Sequence, residues 1–178
     1  QLRYLFKHAL LRDAAYDMQL RARLRALHQL AAESIQQLFA SDLAPHYATL
    51  AYHTEQAGLL PEAARWYKQA GEQTAAQYAN QSAIAHFSKA LALTPESEVA
   101  ARRDILLARV DVLNLLGDRN AEEHDLDMLQ MLAQHMVDPS FQAQVAVRRM
   151  DYAWGTSNYA AVEALAPTAI ALAQAVQD

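Results

Sequence analysis

The residue types able to do chemistry are few, and their spacing works against it. The densest run is Glu122-Glu123-His124-Asp125-Leu126-Asp127. At helical spacing only Glu123 and Asp127 share a face, whereas a hard cation wants about six oxygens. Carboxylates at a helix start are favoured by its dipole in any case. His46 and His53 stand two helical turns apart, roughly 10 Å of rise, too far for one metal ion. The chain has no cysteine, hence no thiolate ligand, no thiol nucleophile and no disulfide, which fits a reducing compartment. No Ser-His-Asp or Cys-His set can be assembled. The four glycines, at 58, 71, 117 and 155, are isolated, and no G-x-x-x-x-G-K-[ST] phosphate loop occurs. These features predict no catalytic set, no cofactor and no metal. Trp154, beside Gly155, is the residue with most to offer. Exposed on the inner face of a repeat it would be a binding anchor.

The elements that must position such residues are helical. Hydrophobic residues make up 53% of the 178, much of them alanine, with only 4 Gly and 5 Pro to break helices. That excludes an all-β chain, which needs frequent turns. No apolar run approaches the ~20 residues of a membrane helix. The start, Gln1-Leu2-Arg3-Tyr4, has no signal-peptide shape and no initiator Met, so the chain reads as a piece of something longer. Residues 1–28 hold six cations against Asp13 and Asp17, net +4, so the remainder must carry −9 to reach the overall −5. No aromatics interleave the arginines, which favours a solvated helix face or an acidic neighbouring domain over nucleic acid.

Leu2 to Phe6 could form one short strand. Helical stripes follow: Leu10, Leu11, Ala14, Ala15 and Met18, then Leu24, Leu27, Leu30, Ala31, Ile35 and Leu38. Tyr47, Leu50, Ala51 and Thr54 line a helix that stops at Gly58. Pro61 opens the next, which passes Trp66, Tyr67, Ala70 and Gly71. Asn80 is placed to cap a helix carrying Ala83, Ile84, Phe87, Ala90 and Leu91. Further helices bury Ile105, Leu106, Val110 and Leu113, then Leu126, Leu129, Leu132 and Ala133, with Asn120 and Glu123 as a capping-box signal. Asp138-Pro139 opens a helix through Val145, Ala146 and Met150 to Trp154. The last runs from Tyr159 through Val162, Leu165, Ala169 and Leu172.

None of these short helices can bury its stripe alone, so they must stack. Tyr67, Gly71, Ala83, Phe87 and Pro95 carry the spacing of a tetratricopeptide repeat. Gly71 and Ala83 would be its close-contact pair, Tyr67 and Phe87 its fillers. Weaker copies recur at 39 or 40 residues, a longer period than the usual ~34. They set Leu106, Val110 and Leu113, then Ala146, Met150 and Ala153, and backward Leu27, Ala31 and Ser34, in equivalent places. The predicted fold is an all-α solenoid of antiparallel helix pairs at 24–60, 61–95, 99–136 and 139–178, preceded by a separate segment over 1–23.

Tyr4-Leu5-Phe6-Lys7-His8-Ala9-Leu10-Leu11-Arg12-Asp13-Ala14-Ala15-Tyr16 resembles a junction found in bacterial STAND-class signal-transduction ATPases. So do Arg25-Ala26-Leu27-His28-Gln29-Leu30-Ala31-Ala32 and His53-Thr54-Glu55-Gln56-Ala57-Gly58 with Ala63. That class includes large adenylate/guanylate cyclases and LuxR-type transcription activators. The resemblance covers about the first 95 residues. It implies that residues 1–23 end a winged-helix domain, and that the repeats are a cytoplasmic, non-catalytic regulatory arm behind an ATPase.

In such repeats the second, fifth, ninth and twelfth positions of each first helix point into the concave groove. Repeat starts at Ala64, Arg103 and Ala143 put Arg65, Lys68 and Glu72 there, then Asp104, Asp111 and Asn114, then Gln144, Asp151 and Trp154. That mix suits a protein or peptide segment, or another domain of the same polypeptide, held by charge and by Trp154. It suits neither a membrane nor a small-molecule substrate. The alternative is a nucleic-acid-binding arm using the basic N-terminal segment.

Overall fold

The structure is a computed structural model that describes residues 21–136 and 138–175. The Leu2–Phe6 strand, the Leu10-to-Met18 stripe and most of the 1–23 segment lie outside them. Among the described residues there are eight α-helices and no strand: α1 (Arg21–Leu38), α2 (Tyr47–Ala57), α3 (Leu60–Ala76), α4 (Asn80–Leu93), α5 (Val99–Leu116), α6 (Arg119–His135), α7 (Pro139–Gly155) and α8 (Tyr159–Ala175). A single 3-10 turn, Ala44–His46, leads into α2. Each helix packs on the one before and the one after it, and α3 also touches α5. The chain is thus an all-α stack of consecutive helix pairs.

The turns follow from local chemistry. Gly58 and Gly117 end α2 and α5 in the left-handed conformation, at φ 83° and 72°, where a Cβ would be strained. Asp118 and Asp138 cap α6 and α7, accepting hydrogen bonds from the backbone N–H of Ala121 and Phe141. Two capping expectations fail here. The cap of α6 is Asp118 rather than Asn120, because the left-handed Gly117 starts the helix two residues earlier. Asn80 is the first residue of α4, not its cap. The chain enters from Ala79, and the Asn80 side chain makes no cap hydrogen bond.

The core runs through Leu50, Ala51, Tyr67, Phe87, Ile105, Leu106, Val110, Leu126, Leu129, Phe141 and Val145, all buried. In α1 the buried face is His28 and Ala32, while Leu27, Leu30 and Leu38 are exposed. The expected stripe is therefore rotated. Small Ala32 admits α2 closely, and His28 meets a partner on that helix.

Gly71 and Phe87 make the tight crossing of α3 and α4. A Cβ on Gly71 would stand 2.6 Å from Phe87 Cε1 and 2.7 Å from its Cδ1. The expected close-contact pair at this crossing is Gly71 with Ala83. Both are buried, but the aromatic ring itself lies on the glycine. Tyr67, expected as a filler, also has a polar task. Its hydroxyl donates to Glu55 Oε2 on α2 (2.6 Å), and Lys89 on α4 donates to Glu55 Oε1 (2.9 Å).

The seam between α1 and α2 carries His28 and His53, whose Nδ1 atoms lie 2.8 Å apart. Such a bond needs one protonated and one bare Nδ1, so it exists only while a ring is neutral. Burial lowers the pKa of both below the ordinary 6.5, and the charge of His28 lowers that of His53 further.

Two expectations follow. Gly71→Ala should destabilise the chain by about 1–3 kcal/mol through overpacking against Phe87. In the background of Phe87→Leu the same change should cost less, because the obstructing ring is gone. Additive losses in a denaturant double-mutant cycle would show that the ring does not lie on the glycine. The second concerns pH. Below about pH 6.5 the unfolded chain takes up protons that the folded His pair resists, so stability falls as pH drops through that value. Burial lowers His86 in the same sense. The melting temperature should be lower at pH 5.5 than at 7.5, and His53→Phe should flatten the difference. An undiminished slope in that variant would rule out a neutral, partly buried pair.

Candidate partner-binding groove

The first helices of the pairs, α1, α3, α5 and α7, line two hollows. The larger, about 620 Å³, is walled by Gln36 of α1, Glu62, Arg65, Trp66 and Lys68 of α3 and Asp104 of α5. The other, about 550 Å³, lies between α5 and α7. Asp111, Asn114 and Leu115 face Arg148, Asp151 and Trp154 across it. Arg119 and Glu122, from the start of α6, complete its lining beside Val110 and Gly155.

Helical periodicity explains the second hollow. Arg148, Asp151 and Trp154 are three residues apart and share one face of α7. Asp111, Asn114 and Leu115 share one face of α5. Trp154 is 67% exposed, with Tyr159 set edge-on to it at 5.6 Å. A core role for this tryptophan is excluded.

Seven of the nine residues expected in the groove are therefore brought to the two hollows. Arg65, Lys68 and Asp104 line the first, and Asp111, Asn114, Asp151 and Trp154 line the second. Glu72 and Gln144 are exposed and line neither.

Several of the charges are already spent within the chain. Lys68 pairs with Glu72 one turn along α3. Asp104 pairs with Arg103 at 2.9 Å. Asp111 pairs with Arg148 at 2.9 Å, which ties α5 to α7. Asn114 Nδ2 donates to Glu122 Oε1 at 2.9 Å, and Arg119 Nη1 donates to Glu122 Oε2. Arg65 turns its Nε back to the Pro61 carbonyl. Asp151 alone among these carboxylates makes no ion pair or hydrogen bond within the described residues.

Sequence reasoning missed Arg148, Arg119 and Glu122. It placed Glu123 and Asp127 on one face of a helix, and both are exposed. It overlooked that Glu122 and Asp125 face inward, at 0% and 1% exposure. The signal was present: Glu122, Leu126, Leu129 and Ala133 form one stripe at helical spacing. Asp125 meets Arg109 in a two-pronged pair at 2.6 Å, and Arg109 also donates to Ser88 of α4.

Among the described residues no cluster of three or more His, Asp or Glu could hold a metal ion, and no helix is long and apolar enough to cross a membrane. No family model, no curated protein and no solved structure matches this chain.

The two kinds of carboxylate in the second hollow should respond differently to removal. Glu122→Ala strips a buried acceptor from Asn114 and Arg119 and should cost about 2–3 kcal/mol. Asp151→Ala should stay within about 0.5 kcal/mol, since nothing in the fold leans on it. Equal losses in urea unfolding would contradict the division into a structural and an unengaged carboxylate.

Proposed function

We propose that this chain is a non-catalytic interaction and regulatory module. On this reading the face lined by α1, α3, α5 and α7 holds a segment of another protein, or of another domain of the same polypeptide. The observation that carries the proposal is Trp154, a large aromatic left two-thirds exposed inside a hollow beside an unengaged carboxylate. Burying exposed apolar area of that size is costly to forgo, and tryptophan dominates binding energy at protein interfaces. Stacked helix pairs suit an elongated ligand, because every pair adds side chains to one continuous face.

The wider setting rests on the sequence resemblance alone. Tyr4 to Tyr16, Leu27 to Ala31 and His53 to Gly58 favour the repeat arm of a cytoplasmic STAND-class ATPase, behind a winged-helix domain. A phosphate-loop motif encoded upstream of Gln1 would support that setting.

Peptide display on the purified chain tests the interaction itself. Enriched peptides should bind the wild-type chain at least about tenfold more tightly than Trp154→Ala, the loss expected of a single hot-spot aromatic. Enriched peptides indifferent to Trp154→Ala, or no enrichment, would overturn the reading.

A further inference from the structure

We propose that the hollow between α5 and α7 is an arginine subsite. On this view it takes the guanidinium of a partner peptide, stacked on Trp154 and held by Asp151. The inference rests on the interaction reading above and specifies the chemistry of the ligand.

The argument is an account of donors and acceptors. Both cations in the lining are engaged: Arg148 on Asp111, and Arg119 on Glu122. Asn114 has committed its amide nitrogen to Glu122, which leaves its Oδ1 as an acceptor. The Asp151 carboxylate is wholly unengaged. The one charged group of the lining left without an ion-pair partner is therefore a carboxylate, and a cationic donor is what would satisfy it.

Charge points the same way. Asp111, Glu122 and Asp151 outnumber Arg119 and Arg148 by one, so the lining carries net −1. The whole chain is acidic at −5 and would draw a basic segment toward it. An anionic guest would meet Asp151 with no free cation beside it.

Shape selects among cations. Trp154 and Leu115, at 67% and 71% exposure, flank the acceptors with apolar surface. An arginine lays its methylene stem along such surface and its flat guanidinium on the indole, while its fork meets a carboxylate edge-on. Lysine supplies the charge but neither the plane nor the fork. A volume of about 550 Å³ leaves room for the peptide residues next to the arginine.

The test uses labelled nine-residue peptides with a leucine on each side of a central arginine, citrulline, lysine or glutamate. Binding to the full chain is read by fluorescence anisotropy at low salt. Citrulline keeps the shape of arginine without its charge. The arginine peptide should bind at least about tenfold more tightly than the citrulline peptide, a margin of about 1.4 kcal/mol, with lysine between them and glutamate weakest. Asp151→Asn should bring arginine and citrulline to parity, and Trp154→Ala should weaken every peptide. Asp151 supports nothing in the fold, so its variant remains folded. Equal binding of arginine and citrulline peptides, an unchanged ratio in Asp151→Asn, or no binding of the arginine peptide would each overturn the assignment. Display peptides that depend on Trp154 yet carry no arginine would overturn it too, while leaving the broader interaction reading intact. Failure of that reading would show instead as the absence of any Trp154-dependent peptide.

Discussion

Two carboxylates on one helix, Glu122 and Asp125 of α6, are almost wholly removed from water, and the second half of the molecule is arranged around them. An ionised carboxylate in that position costs several kcal/mol in lost hydration unless cations and hydrogen bonds replace the water. Asp125 obtains both prongs of Arg109, which reaches on to Ser88, so one buried pair fixes α4, α5 and α6 in mutual register. Glu122 obtains Arg119 and Asn114. The Arg119 guanidinium in turn lies against Gly155 of α7, where a Cβ would come within 2.9 Å of its Nη2. Apolar contacts between α-helices tolerate sliding far better than these directional bonds do. The position of α5 relative to α7, and hence the hollow between them, is set by polar chemistry inside the fold.

The repeats solve the same packing problem in different ways. At α3 and α4 a glycine admits an aromatic ring, and the two helices approach closely over Gly71 and Phe87. The equivalent place in α5 is Val110, fully buried, and in α7 it is Met150, partly buried. Neither admits a ring as glycine does. The later helices instead rely on Arg109–Asp125, Arg119–Glu122 and Arg148–Asp111. The first repeat has an ion pair of its own, Lys89–Glu55, but only there does a glycine admit a ring, and the helical period survives the change.

Helix positions were largely legible because apolar periodicity and left-handed glycines are local signals. Gly58, Gly117 and Asp138 mark ends that the structure keeps. What failed was anything decided by a neighbour in space. The α1 stripe of Leu27, Leu30 and Leu38 is as apolar as the face that is buried, and only the meeting of His28 with His53 distinguishes the two. Asn80 and Asp118 are both good capping types, but cap geometry depends on the backbone entering the helix. Tyr78, at φ 58°, delivers the chain to α4 past the point where Asn80 could serve. Glu122 and Asp125 carry no local mark of burial, because carboxylates are almost never fully buried unless paired. Their pairs come from Arg109 on another helix and from Arg119 one turn back.

The same reasoning separates groove residues by what they can still do. Lys68, Asp104 and Asp111 line the two hollows, yet each is already neutralised by Glu72, Arg103 or Arg148. A partner that used one of them would first have to break an existing pair, and exposed pairs of this kind yield ~1 kcal/mol or less either way. Asp151 and Trp154 differ because the fold makes no demand on the carboxylate and leaves most of the indole in water. In the hollow between α5 and α7, internal ion pairing leaves over one carboxylate, that of Asp151, beside the exposed indole of Trp154.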